Sequence, residues 1–230
     1  MKIKLLFLLL LLFSKETFSN VIITGTRIIY PEAAQSMSVQ LTNNSNTPSL
    51  VQSWIDDGNI NSTPENSDAP FYLYPPIIKI EGLQGQQLKI KKTDRKLPDN
   101  VESVFYLNVL DIPKAPESMK GKNGIQLAAR SRIKLFYRPT GLTESPENIT
   151  DNISYQLNNN GIVVNNNSQY HFTIAAITTS EDKKTALVDS EMVPPHTTKT
   201  LPLKKQLKGN NLILTYVDDY GVFKSKNLQL

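Results

Sequence analysis

The sequence predicts an all-β protein that consists of two β-sandwich domains. Short runs of alternating apolar and polar residues recur along the whole chain, and turn-rich segments separate them. This pattern is typical of antiparallel sandwiches, whereas helical periodicity is almost absent. The chain has 230 residues, which suffices for two domains of about 100 residues each. It contains no cysteine, so its stability must come from apolar cores and not from disulfide bonds.

Residues 1–19 are predicted to be a secretory signal peptide. Lys2 and Lys4 precede the apolar run 5–13, and small residues occupy positions 17 and 19, so we expect cleavage near Ser19–Asn20. The apolar run is too short to span a bilayer, which needs about 20 residues, and no later run approaches that length. Cleavage removes three lysines and one glutamate, which lowers the formal net charge from +4 to +2. We therefore expect an exported protein without stable membrane insertion and without a nucleic-acid partner.

The first domain is predicted to comprise residues 20–140. Phe105, Leu107 and Val109 alternate with polar neighbours and should form the buried face of one strand. Trp54 is predicted to anchor the core, and Pro75-Pro76 should mark an edge or a strand that changes sheets. The predicted strands are 21–30, 36–42, 50–55, 71–74, 86–92, 104–110 and 123–139.

The second domain is predicted to comprise residues 141–230, because the polar, turn-forming segment 140–151 separates it from the first. Its apolar runs are again short and alternating. The predicted strands are 153–157, 161–165, 170–177, 186–188, 198–203, 212–217 and 222–228.

The strand at 123–139 has an unusual composition. Ile125, Leu127 and Ala129 form an apolar row at its beginning, whereas cations such as Lys134 accompany its end. An edge strand that is offered to another chain, with a cation to hold that chain's terminus, would use both features. The alternative is that the apolar row faces the protein's own core.

The residues needed for catalysis or metal binding are missing from the sequence. There are two histidines, His171 and His196, and no nucleotide-binding or nucleophile motif. Asp218-Asp219 is interpreted as a turn and salt-bridge pair, because adjacent strand residues point to opposite faces. We expect no enzyme activity, no metal and no cofactor.

Several runs together resemble the periplasmic pilus chaperones of the chaperone–usher pathway. They occur in the family's order over essentially the whole mature chain, and the lysine-bearing run is the most specific. These runs are 26–30 with Arg27, 133–139 (IKLFYRP), 192–195 (MVPP) and 218–221 (DDYG), supported by 104–108, 112–113 and 75–76.

The resemblance implies two immunoglobulin-like β-sandwich domains that are set at an angle, with a cleft between them. It implies a periplasmic chaperone of a Gram-negative bacterium that binds pilus or fimbrial subunits and delivers them to an outer-membrane usher. Such subunits lack their last strand and expose edges that aggregate. Chaperone–pilin pairs are themselves a known example of strand donation. By this resemblance, Ile125, Leu127 and Ala129 would fill the subunit groove.

The resemblance also assigns roles to charged residues. Arg27 and Lys134 would bind the C-terminal carboxylate of the subunit, the alternative being two ordinary solvated charges. Glu102, Arg138 and Asp219 would form a charged link between the domains, an interaction worth about 0–1 kcal/mol if exposed.

Two rival functions remain at this point. A fimbrial subunit or adhesin would usually carry cysteines and a groove-complementing N-terminal extension, and neither is seen. A hydrolase is disfavoured by the missing catalytic residues.

Overall fold

The computed structural model describes residues 21–115, 121–205, 207 and 211–229, so the predicted signal peptide lies outside the described residues. The first half of the chain forms strands that are connected mostly by turns and short loops. They are β1 (Val21–Ile23), β2 (Arg27–Pro31), β3 (Met37–Asn43), β4 (Ser49–Asp56), β5 (Phe71–Tyr74), β6 (Ile77–Ile80), β7 (Gly85–Lys92), β8 (Ser103–Pro113) and β9 (Ala129–Arg138).

These strands form two sheets that face each other. One has the order β1-β3-β7-β5 and the other β2-β9-β8-β4-β6. Neighbouring strands are antiparallel except for β2, which pairs parallel with β9. Phe105, Leu107 and Val109 are 7%, 0% and 2% exposed and lie on the inner face, as predicted.

The chain changes sheets at Pro75-Pro76. The preceding strand β5 is the edge of the first sheet, where it pairs with β7, and β6 is the edge of the second, where it pairs with β4. Proline has no N–H to donate to a ladder, so a proline pair fits at a switch between two edges. This confirms the predicted sheet-switching strand.

The role predicted for Trp54 is wrong in its detail. The side chain is buried, but Val51 and Ile55 are the β4 residues that belong to the first core. Trp54 lies on the opposite face of β4, where its Nε1 donates to Ser62 Oγ at 3.0 Å. The prediction that Trp54 is buried did not determine which face of the sheet it occupies, because a loop covers part of the outer face.

The second half forms another pair of sheets around a separate core. Their orders are β10-β11-β14 and β13-β12-β15-β16. The strands are β10 (Ile153–Asn158), β11 (Gly161–Asn166), β12 (Phe172–Thr179), β13 (Glu191–Val193), β14 (Thr197–Leu201), β15 (Asn211–Val217) and β16 (Phe223–Gln229). A 3-10 turn, Pro146–Asn152, precedes them.

One predicted strand of the second half is absent. Residues 186–188 form a loop, although Leu187 and Val188 are fully buried in the second core. Leu187 donates one backbone hydrogen bond to Ile177, but no ladder continues on either side. The strand at Glu191–Val193 was not predicted, and neither was Ile77–Ile80 of the first half. Apart from these elements, the predicted fold class of two β-sandwich domains is confirmed.

Within the described ranges, no helix is long and apolar enough to cross a membrane. The same residues contain no group of three or more metal-ligating side chains that could hold an ion.

Candidate functional site

A cavity of about 440 Å³ lies between the two sandwiches and is lined by both. The first sandwich contributes residues of β2 and β9, and the second contributes β12 and the β15–β16 hairpin. The residues used below that line it are Arg27, Glu102, Arg138, His171, Val217, Asp218 and Asp219.

Arg27 and Lys134 are brought together by the parallel pairing of β2 and β9, in which their Cα atoms are direct partners. Nη1 of Arg27 donates to the Val217 carbonyl at 3.3 Å, while its Nε is buried and has no hydrogen-bond partner among the described residues. Nζ of Lys134 contacts the Thr173 hydroxyl at 3.4 Å. Both cations therefore reach the second sandwich, yet neither forms an ion pair with a carboxylate in the described part of the chain.

The environment of this pair disfavours its positive charge. Burial, followed by the charge of Arg27, lowers the pKa of Lys134 to about 8, and Glu191 offsets only part of this shift. Burial also lowers the pKa of Arg27, against the opposing effect of Asp219 and Asp218. Because burial of unpaired charge is costly, two half-buried cations that have no carboxylate partner among the described residues are suited to bind an anion.

Arg138 lies on the same face of β9 and has its full complement of partners. Its Nη2 and Nε donate to Glu102 Oε1 at 2.8 and 3.2 Å. Its Nη1 and Nη2 donate to Asp219 Oδ2 and Oδ1 at 2.7 and 3.0 Å. Burial alone would lower the pKa of Arg138, but the hydrogen bonds and charges of Asp219 and Glu102 outweigh it and raise the pKa. The structure thus brings Glu102, Arg138 and Asp219 into one network that joins the sandwiches.

His171 belongs to this network and was missed by sequence reasoning. Glu102 Oε2 accepts a bond from the His171 backbone N–H at 2.9 Å and lies 3.1 Å from its Nδ1. The Glu102 backbone N–H donates to the Gln169 carbonyl at 2.9 Å. A histidine within the predicted strand 170–177 gave no signal of this contact, because the partner lies far away in the sequence. Since the Glu102 side chain is only 2% exposed, the link is not the exposed type assumed above.

Asp218 and Asp219 have different roles, as expected for adjacent residues. Asp218 accepts backbone hydrogen bonds from Tyr220 and Val222 and thereby closes the hairpin turn. Asp219 points to Arg138.

The apolar row of the strand predicted at 123–139 is divided between solvent and core. Ile125 and Leu127 are 85% and 79% exposed, whereas Leu135 and Tyr137, further along the same row, are 0% and 3% exposed. The strand predicted at 123–139 begins only at Ala129, which is itself exposed. Residues 123–128 have no ladder partner to make them a strand. The alternative that Ile125 and Leu127 face the protein's own core is wrong.

A second group of side chains fixes β9 where the exposed row ends. Arg132 binds both carboxylate oxygens of Asp56, at 2.5 and 3.0 Å, and lies over the Tyr106 ring. Arg130 binds Asn108 Oδ1 and lies 4.8 Å from the centre of the Trp54 ring. These contacts fix the strand from which residues 123–128 extend.

Two family models together match nearly the whole described chain. Residues 20–143 match "Pili and flagellar-assembly chaperone, PapD N-terminal domain", and residues 148–228 match "Pili assembly chaperone PapD, C-terminal domain".

Curated relatives and solved structures agree with these models. "Probable fimbrial chaperone YehC" of Escherichia coli is 39% identical, over 95% of this chain and 91% of the relative. "Chaperone protein HifB" of Haemophilus influenzae is 38% identical, over 88% and 85%. The Pseudomonas aeruginosa CupB2 chaperone structure matches with a TM-score of 0.76 and 28% identity, over 91% of this chain and 100% of that one. The Salmonella enterica SafB chaperone, solved with SafA pilin, matches with a TM-score of 0.80 and 25% identity, over 94% and 99%. The relatives are named as chaperones, not as enzymes, subunits or adhesins.

Proposed function

The chain belongs to the PapD family of pilus-assembly chaperones, and from this premise we propose that it captures pilus subunits by strand donation and delivers them to an outer-membrane usher. Its two domains are immunoglobulin-like sandwiches, and it is a fimbrial chaperone and not an enzyme. The proposal places it in the periplasm after removal of residues 1–19, with no cofactor. We propose that the domain boundary lies between residues 140 and 141, as predicted. The separate apolar cores of the two halves support this boundary.

The observation that carries this proposal is the divided apolar row. Ile125 and Leu127 are presented to solvent in phase with the buried residues Leu135 and Tyr137. Exposed apolar side chains next to an unpaired segment are a liability unless a partner covers them. A subunit groove that lacks a strand would cover them, and each large aliphatic side chain would contribute about 1.5–3 kcal/mol if fully buried. Ala129 would contribute less because it is small.

The unpaired cations supply the second contact of the proposal. A C-terminal carboxylate carries the charge that Arg27 and Lys134 lack, and it can accept hydrogen bonds from both. The exposed row leads into β9, which carries Lys134, and Arg27 lies on the neighbouring β2, so an extended client could pair along residues 123–129 while its terminus reaches the cleft. The related SafB chaperone was solved as a complex with a pilin, which supports a subunit as the client.

The experiment that tests strand donation is Leu127→Glu. The free chaperone should keep its melting temperature, because Leu127 is exposed. Subunit capture should be lost, because the change would bury an unpaired carboxylate in an apolar groove. Co-purification of subunit and thermal unfolding of the free protein measure the two effects.

Two variants control this experiment. Leu157→Glu changes an exposed leucine of the second sandwich and should preserve capture. Leu135→Ala changes a buried leucine of the same row and should cost about 2–5 kcal/mol of stability. Normal capture by Leu127→Glu would contradict strand donation through this row.

A further inference from the structure

The outer face of the sheet β1-β3-β7-β5 is not used by the proposed function. Tyr72 and Tyr74 of β5 lie on this face and are 68% and 74% exposed. Their direct partners in the β5–β7 ladder are Lys91 and Lys89, which are exposed as well. Side chains of directly paired residues lie on the same face of a sheet. The two tyrosines and the two lysines therefore form one exposed surface, which we call the Tyr–Lys patch.

The Tyr–Lys patch carries positive charge that the sheet itself does not neutralise. Strands β1, β3, β5 and β7 contain no aspartate and no glutamate. The first carboxylate after β7, that of Asp94, lies beyond the end of the strand. Lys89 and Lys91 form no ion pair within the described part of the chain, whereas Lys204 and Lys205 of the second half each bind an aspartate. The patch is thus suited to a partner that brings negative charge.

The composition of the Tyr–Lys patch fits a membrane surface better than another protein. Lysine is depleted at protein–protein interfaces. At the boundary between lipid chains and headgroups, tyrosine is enriched because its ring is apolar and its hydroxyl is polar. A lysine can lay its aliphatic stem along such a boundary and keep its charge among the headgroups. Anionic headgroups supply the negative charge that the sheet lacks.

We propose that the Tyr–Lys patch binds the surface of an anionic phospholipid membrane. The two lysines bind lipid phosphates, and the two tyrosine rings lie at the level of the headgroups. The chain lies on the membrane and does not span it, in line with the predicted absence of stable membrane insertion. Two lysines give weak and reversible binding, so the exported chaperone exchanges between the membrane surface and solution.

The patch points away from the side of the sandwich that faces the cleft. The two sheets of the first sandwich pack face to face, and Lys134 lies on the outer face of the other sheet, opposite in phase to the buried Leu135. A chaperone bound to a membrane through the patch therefore leaves its cleft open to a client. The inference rests on export but not on subunit capture, so either can fail without the other.

The test measures co-sedimentation of the free chaperone with lipid vesicles at low salt. Wild type should bind vesicles of mixed phosphatidylglycerol and phosphatidylcholine and should bind pure phosphatidylcholine far less. The double variant Lys89→Ala/Lys91→Ala should bind the anionic vesicles about 25-fold more weakly, because each lysine near an anionic surface contributes about 1 kcal/mol, or about fivefold. Binding of wild type should also fall at an ionic strength of about 1 M, where the screening length shrinks to about 3 Å.

Matched variants make the same changes elsewhere on the surface. Lys204→Ala/Lys205→Ala removes the same net charge from lysines that are already paired, and it should bind nearly as well as wild type. Tyr72→Ser/Tyr74→Ser should weaken binding, whereas Phe223→Ser, which removes an aromatic side chain that is 68% exposed, should not. All of these side chains are exposed, so thermal unfolding should show that each variant is folded.

Three outcomes would overturn the proposal. The first is an equal loss of binding in the two double lysine variants, because net charge and not the patch would then control binding. The second is equal binding to neutral and anionic vesicles. The third is a wild-type chain that binds polyglutamate but no vesicle, which would assign the patch to an acidic protein.

Discussion

Two clusters of charged side chains lie on the same face of β9 and differ in how their charges are satisfied. Arg138 is bound by Glu102 and Asp219, and Glu102 is bound in turn by His171. Lys134 precedes Arg138 by four residues, which places both on one face of the strand. The hydrogen-bond partner of its Nζ is the Thr173 hydroxyl. We call the first cluster (Arg138, Glu102, Asp219 and His171) closed, because its charges are paired. We call the second cluster (Lys134 and Arg27) open.

The difference between the clusters distinguishes a structural role from a binding role. In the closed cluster, the interactions with carboxylates raise the pKa of Arg138, so the fold itself stabilises the charge. In the open cluster, burial lowers the pKa of Lys134, so the fold penalises the charge and a ligand can relieve the penalty. Both clusters span the same cleft. The closed one is therefore suited to hold the domains in place, and the open one is suited to bind an anion.

The largest expected effect comes from removing the open cluster. Lys134→Ala should weaken subunit capture by about 2–5 kcal/mol, because it deletes one partner of the proposed buried charge pair. The free protein should be no less stable, because the lost cation has no carboxylate partner. Arg27→Ala should behave in the same way. Pull-down of subunits and urea unfolding measure the two quantities.

The control for this prediction is Lys89→Ala, which removes an exposed lysine of β7 and should leave capture unchanged. Lys134→Met keeps the aliphatic stem and should lose capture as Lys134→Ala does. Normal subunit recovery with either Lys134 variant would show that Arg27 and Lys134 are ordinary solvated charges.

An intermediate effect is expected from opening the closed cluster. Glu102→Ala removes the acceptor that joins Arg138 to His171, so the angle between the domains should vary more widely. Capture should fall by about 1–3 kcal/mol, the usual range for coupling between sites, because the cations remain but are less well positioned. Small-angle scattering of the free chaperone measures the angle.

A matched variant separates orientation from charge. His171→Asn keeps a donor near the position of Nδ1 and should preserve the scattering profile, whereas His171→Phe keeps only the ring. Unchanged scattering and unchanged capture for Glu102→Ala would show that the network does not orient the domains.

Those features that depend on local pattern could be predicted from the sequence. Alternation placed Phe105 and Leu107 in the core, and the proline pair at 75–76 located the change of sheet. Both signals act through neighbouring residues along one strand, so no knowledge of distant contacts was needed.

The features that depend on distant partners could not be predicted. Trp54 is buried on the outer face because a loop and Arg130 cover it, and the contact of His171 with Glu102 joins residues of different domains. Leu187 is buried as a strand residue would be, but only the absence of a continuing ladder reveals a loop. Periodicity reports which residues are buried and not what buries them.

The smallest predicted effect concerns pH and again separates the two clusters. Lys134 in the free chaperone has a pKa of about 8, so the site is charged below that pH and increasingly neutral above it. A subunit carboxylate stays ionised throughout this range. Capture should therefore be constant between pH 6 and 7 and about tenfold weaker at pH 9, where roughly one site in eleven is protonated. Arg138 remains charged across the range, so the domain link should not change.

The same titration has an opposite effect on the free protein. Because the pKa of Lys134 is lowered from 10.5 to about 8 on folding, the unfolded chain binds more protons between these values, and this group makes the fold more stable as pH rises from about 8 to 10.5. Lys134→Arg keeps its charge and should abolish both trends, although its capture is weaker overall. If capture by wild type stayed constant up to pH 9.5, or if Lys134→Arg declined equally, another group would control the response, and the open cluster would not depend on Lys134.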